Sequence, residues 1–285
     1  HEYCHFLQDV STTYGYSNFL RFIQELLYKV SEEKLISDKE ILQYNRDLHT
    51  LRFGDETINE DMFLISKVEI KEDELFGEFY AGSNVKKVVV KYNLNYSFEF
   101  GSCCIAESMA YLVEKRLYNV RKRECEFPYN VCEEICKHEY AAFAQNDIWI
   151  MALCELSLLE LESGLFFIKA LRLMKEMNFI PVTIKDIEKF IDQNFRIGFR
   201  GEKHVIESLL EEVYPKCETD FSKIKQWIIK RFEIGCEYRE ISKCFISLSL
   251  YSEDSSVRFE IWNSLMREFG CPVLIDNDGN RIEGA

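Results

Sequence analysis

A chain of 285 residues, 47% hydrophobic and 29% charged, has enough apolar side chains to bury a core and too many to remain disordered. Its formal charge of -14 excludes a polyanion as the main partner, because nucleic-acid binding depends on clustered Lys and Arg, and the basic run at 115–123 reads as a helix end where cations suit the dipole. The 11 cysteines, an odd number with no framework spacing and no CxxC pair, predict free thiols in a reducing cytoplasm rather than a disulfide scaffold, and no apolar run reaches membrane-spanning length.

The predicted elements begin with helix. Phe6, Leu7, Phe19, Phe22, Ile23, Leu26 and Leu27 recur at helical spacing across residues 2–30. Thr12, Thr13 and Gly15 interrupt the pattern, which predicts two helices, with Ser17 or Asn18 capping the second. Residues 31–61 are polar, with a short helix expected at 38–48. The period then changes, and residues 63–70, 85–90 and 96–100 predict a small antiparallel sheet. After Gly101 the helical period returns. Ser102 is the expected cap, and Ile105, Met109, Leu112, Val113 and Leu117 form one apolar stripe.

Pro128 opens a further helix through Val131 and Ile135, extending as far as Phe143. Helices follow at 146–160, 164–178, 184–194, 202–213, 221–233, 237–250 and 255–269. Cys132, Cys136, Cys154 and Cys244 fall in apolar helical context, where a thiol packs as a small hydrophobe. Residues 272–275 predict a short strand, and the turn with Asp276 and Asp278 lacks the glycine spacing and the Glu of a calcium loop. The predicted class is α+β and predominantly α-helical. Residues 1–127 would hold the first helices, the small antiparallel sheet and the helix of Glu107, and residues 128–285 a C-terminal helical region.

The residues with chemical potential stand at the start, where His1-Glu2-Tyr3-Cys4-His5 is a complete HExxH pattern. Positions four apart share a helix face, so the imidazoles of His1 and His5 converge on one metal ion. Glu2 lies beside them, where its carboxylate can take a proton from a metal-activated water and pass it to a leaving amine. Zn2+ is the expected cofactor, and hydrolysis of a peptide bond with Glu2 as general base is the expected reaction. Such a site needs a third protein ligand and an open fourth position. None of His49, His138 and His204 follows His5 at the short spacing of the HExxHxxGxxH type, which leaves a carboxylate as the expected third ligand.

Here the sequence resembles the gluzincin class of zinc peptidases, in which a glutamate on a separate downstream helix completes the site, often followed three residues later by Ala or another small residue. Ile105-Ala106-Glu107-Ser108-Met109-Ala110 carries that part of the resemblance. The resemblance implies a zincin-like core with His1, His5 and Glu107 as zinc ligands, and a downstream His or Tyr stabilising the oxyanion, for which His138 and Tyr140 are the expected residues. Glu114, two turns beyond Glu107 on the same face, is the alternative ligand. Asp9 is expected to accept the ring proton of a ligating imidazole, with Gln8 and Tyr16 as alternatives. Zincin folds place a sheet ahead of the HExxH helix, whereas the strands here follow it, so either a segment precedes His1 or the element order is permuted.

The implied partners are a protein or peptide substrate, without nucleic acid or membrane, and residues 128–285 would complete the cleft or dock a partner protein. Two other classes compete. One is a helical interaction module with a degenerate or accidental HExxH. The other is a di-metal carboxylate bundle, which needs Glu-x-x-His on each of two helices; His138 does not stand in that relation to Glu133 or Glu134.

Overall fold

The computed structural model describes residues 1–19, 54, 64–72, 86–93, 96–118, 127–197 and 222–270. It is mostly helical, with one three-stranded antiparallel sheet among the described residues. Helix α1 (Glu2–Ser11) buries Cys4, Leu7, Gln8, Val10 and Ser11 and ends at Thr12, which is extended. The Thr12 hydroxyl serves both sides of the break. It donates to the Gln8 carbonyl at 2.7 Å and accepts from the Gly15 amide at 3.1 Å, so it caps the helical segment at 13–19. The cap is therefore Thr12 rather than Ser17 or Asn18, because an extended residue at the break already has its side chain within reach of the next turn's orphan N–H groups. Gly15 permits the tight fold-back: a Cβ there would lie 2.2 Å from the Asp9 Cα.

The sheet runs β1 (Ile65–Glu72), β2 (Lys86–Tyr92), β3 (Tyr96–Phe100) in spatial as in chain order. Val68 pairs with Val90, and Val90 with Phe98, in a row that is buried on one face. On the other, Glu69 meets Lys67 at 2.6 Å and Lys91 at 3.0 Å. Helix α2 (Ser102–Tyr118) follows at once. Its first residue is Ser102 itself, and the Gly101 carbonyl accepts from the Ile105 amide, so Ser102 is not the cap that the sequence suggested.

Helix α3 (Val131–Glu139) ends where Tyr140 leaves helical geometry, and Phe143 lies in a separate 3-10 turn (Phe143–Gln145) rather than on the same helix. The sheet packs against α3 and α5 (Ser163–Glu176). Arg172 of α5 clamps that layer, giving two hydrogen bonds to the Glu139 carboxylate at 2.8 and 2.9 Å and one to the Val68 carbonyl at 2.7 Å.

Helix α4 (Asp147–Ser157), capped by Asn146, is the hub of the helical layer and touches α2, α3 and α5. Ile150, Met151, Ala152, Leu153 and Cys154 are all fully buried, as expected for a helix apolar on every face. Helix α6 (Ile184–Asn194) begins with a capping box of Thr183 and Asp186. Helices α7 (Ser222–Ile241), α8 (Phe245–Ser249) and α9 (Ser255–Phe269) follow.

The break expected near Gly235 falls instead at 242–244. Gly235 stays inside α7 because that helix crosses α1 there, and a Cβ would lie 2.1 Å from the Val10 carbonyl oxygen. The chain leaves the helix where Glu188 of α6 takes the Ser242 hydroxyl at 2.7 Å and the Cys244 amide at 2.9 Å. One contiguous apolar core includes Leu7, Phe98 and Ile105 together with Leu153, Phe167 and Ile187. The described cysteines are free thiols, and Cys132, Cys136, Cys154 and Cys244 are fully buried. No helix among the described residues is long and apolar enough to cross a membrane. The elements expected at 38–48, 202–213 and 272–275, and the turn with Asp276 and Asp278, lie outside the described residues.

Candidate metal centre

Helices α1 and α2 lie side by side, and the small residues Ala106 and Ala110 are buried on α2. The Gln8 side-chain amide donates across the gap to the Ala106 carbonyl at 3.2 Å. This contact fixes the position of α1 relative to Glu107, which stands next along α2. His1 and His5, four residues apart, face Glu107 together.

His1 Nε2 lies 3.1 Å from Glu107 Oε2, His5 Nε2 lies 3.4 Å from Glu107 Oε1, and the two Nε2 atoms are 3.2 Å apart. A tetrahedral zinc site with bonds of about 2.0 to 2.2 Å has donor-to-donor edges of about 3.3 to 3.6 Å. The contacts to Glu107 involve its two oxygens in turn, and one donor atom from each residue lies within 4.8 Å of the others, a spacing that small side-chain adjustments could close onto one ion. The side chains of His1, His5 and Glu107 are 15%, 23% and 33% exposed, so the cluster is reachable from solvent, as a fourth, non-protein ligand requires.

The tautomers follow from the next layer of contacts. Because Gln8 Nε2 donates to Ala106, Gln8 Oε1 is the acceptor that faces His5 Nδ1 at 2.9 Å. His5 thus carries its proton on Nδ1 and turns the Nε2 lone pair to the cluster. His1 Nδ1 lies 3.4 Å from Glu114 Oε2, which orients His1 in the same sense through a carboxylate. Two imidazole nitrogens and a carboxylate thus face one another, held by hydrogen bonds and ion pairs that a proton mediates and that a cation could replace. Burial works against a charge on His5, but the Glu107 carboxylate outweighs it, with further contributions from Gln8 and Glu2, and the His5 pKa is raised.

Glu2 is exposed on the first turn of α1, and its charge acts on His5. Glu114, the alternative ligand, stands behind His1 instead of beside Glu107 in the cluster. Of the residues expected to orient a ligating ring, Gln8 takes the role in place of Asp9, while Tyr16 pairs its hydroxyl with Cys236 Sγ at 3.2 Å. His138 is exposed on the last turn of α3, and the Tyr140 hydroxyl donates to the Phe179 carbonyl at 3.2 Å. The aromatic ring beside the cluster is Tyr129, edge-on to His1 with ring centroids 5.7 Å apart. It comes from the turn that precedes α3, and no periodicity or motif marks it in the sequence.

Comparison with protein-family models, with curated proteins and with solved structures found no match to this chain.

Proposed function

We propose that this chain is a zinc-dependent peptidase with His1, His5 and Glu107 as metal ligands and Glu2 as general base. The observation that carries the reading is the grouping of His1, His5 and Glu107, one donor atom from each within 4.8 Å of the others, with both histidines on an HExxH helix. A zinc ion supplies Lewis acidity there, lowering the pKa of water toward about 7 and polarising a carbonyl oxygen.

The protein's own residues do the rest. Gln8 accepts from His5 Nδ1, and the Glu114 carboxylate lies 3.4 Å from His1 Nδ1, so each ring has a polar partner that orients it toward the cluster. Glu2 sits between the two histidines in sequence, exposed and close enough to His5 for its charge to be felt. From there its carboxylate takes a proton from the attacking water and returns it to the nitrogen of the departing amine. Ala106 and Ala110, by their size, allow α2 to bring Glu107 to the same point. A zincin-like arrangement of this core and a cytoplasmic setting belong to the same proposal.

The decisive experiment pairs elemental analysis with a Glu2→Gln variant. The expected result is about one zinc per chain in both proteins and cleavage of a fluorogenic peptide library by the wild type alone. Absence of zinc from the purified protein, together with no uptake after stripping and reloading, would overturn the reading in favour of an interaction module with an accidental motif.

A further inference from the structure

One turn along α1 from His5, a cavity of about 320 Å³ opens between α1, the helical segment at 13–19 and α7. That is the small end of the range for ligand sites. Its walls are Val10, Phe19, Trp227 and Phe232, with Asp9 and Arg231 as its charged residues. Asp9 follows His5 by four residues and so marks the side nearer the metal cluster.

Arg231 is the unusual member. It is half-buried, its guanidinium lies 5.1 Å from the Trp227 ring centre, and Nη1 donates to the Glu268 carbonyl at 3.3 Å. Its Nε is buried without a hydrogen-bond partner. Gly270, with φ +76, leaves room beside Nη2, where a Cβ would approach to 3.0 Å. Among the described residues no carboxylate is paired with Arg231 in an ion pair, Asp9 included, although the chain carries a net charge of -14. A guanidinium has five N–H donors and matches a carboxylate in a two-point contact.

We propose that this cavity binds the C-terminal residue of a peptide substrate, an aromatic or aliphatic residue whose free α-carboxylate pairs with Arg231. The proposal rests on the peptidase reading above and names its substrate class. Asp9 in the cavity wall is one helical turn, about 5.4 Å of rise, from His5, and an extended peptide advances about 3.3 to 3.6 Å per residue, so the cavity and the cluster are neighbours on the scale of a few peptide residues. The apolar walls choose between two sources of a carboxylate. An Asp or Glu side chain would pair with Arg231 and leave Phe19, Trp227 and Phe232 without an apolar partner, whereas a terminal Phe or Leu fills the walls and supplies the anion in one residue.

The test is calorimetric binding to the Glu2→Gln chain, which leaves the peptide intact, with zinc content measured on the same samples. The probes are N-acetyl-Ala-Phe with a free carboxylate, its C-terminal amide, and N-acetyl-Ala-Glu-amide. The expected result is that the free acid binds at least about tenfold tighter than either of the others, and that Arg231→Gln removes this preference while zinc content stays the same. Equal binding of acid and amide, equal or tighter binding of the Glu-amide, no measurable binding of the acid, or a preference that survives Arg231→Gln would each overturn the proposal. The comparison of acid with amide needs no variant at Arg231, so it stands even if that substitution disturbs folding. Zinc present without acid preference defeats the cavity proposal alone, whereas acid preference without zinc defeats the peptidase reading and leaves the cavity as a carboxylate site.

Discussion

At the scale of single residues, the proposed metal site depends on groups that would never touch the ion. Gln8 accepts from His5 Nδ1 and Glu114 lies 3.4 Å from His1 Nδ1; under the proposed function, losing such a partner typically lowers metal affinity about 10- to 100-fold. Glu114→Gln and Gln8→Met are each expected to fall in that range in a chelator competition with zinc, while Glu107→Ala should no longer hold a stoichiometric ion. Zinc affinity unchanged in all of these variants would disconnect the cluster from metal binding. That His1, His5 and Glu107 would meet was legible in the sequence, because i and i+4 spacing is a property of any helix and Glu107 stood among small and apolar neighbours. The supporting layer was less so. Gln8 and Asp9 both follow His5 by about one turn, and what selects Gln8 is the Ala106 carbonyl on another helix, a partner 98 residues away that no local pattern reveals.

At the scale of elements, glycine shows how a local rule yields to packing. Gly235 in a helix interior is about 1 kcal/mol worse than Ala by propensity, so an exposed site would gain from Gly235→Ala. Here the added Cβ would meet the Val10 carbonyl oxygen at 2.1 Å, and backbone cannot swing aside as a side chain can. The substitution is expected to destabilise by about 1 to 3 kcal/mol in a denaturant titration, and a rise in stability would refute the close crossing of α1 and α7. At Thr183 the local rule holds. Its hydroxyl caps α6 and Asp186 returns the bond, so Thr183→Ala should lose about 1 kcal/mol, read as a lowered unfolding midpoint. The strands and most of the described helices were legible for the same reason as α6, since period, caps and turn residues agree. The break between α7 and α8 was not, because it is imposed by Glu188 from elsewhere in the chain.

At the scale of the molecule, a buried ion pair gathers four helices. Glu155 of α4 and Arg239 of α7 bond to each other with side chains 0% and 1% exposed. Glu155 also accepts from the Ile246 and Ser247 amides at the start of α8, at 2.9 and 2.8 Å. Arg239 reaches the end of α1, donating to the Ser11 carbonyl and hydroxyl at 2.9 Å each, and its guanidinium stacks 4.4 Å from the Phe245 ring centre. Removing one partner strands the other charge away from water, so Arg239→Met should lose about 3 to 5 kcal/mol of stability by chemical denaturation. A change below about 1 kcal/mol would mean that Glu155 finds another way to be neutralised.

The same contact turns α1 into a cantilever. The helix is about 15 Å long, and at Val10 and Ser11 it is held by the Gly235 crossing and by Arg239, none of which involves a metal. Its other end rests on His1 and His5, whose contacts to Glu107 a bound zinc would tighten under the proposed function. A chelator should therefore slacken this beam from one end. Deuterium should enter the amides of His5, Phe6 and Leu7 faster in stripped than in zinc-loaded protein, while those of Val10 and Ser11 keep their pace, and the gradient between them measures how far the ion's grip extends along the helix.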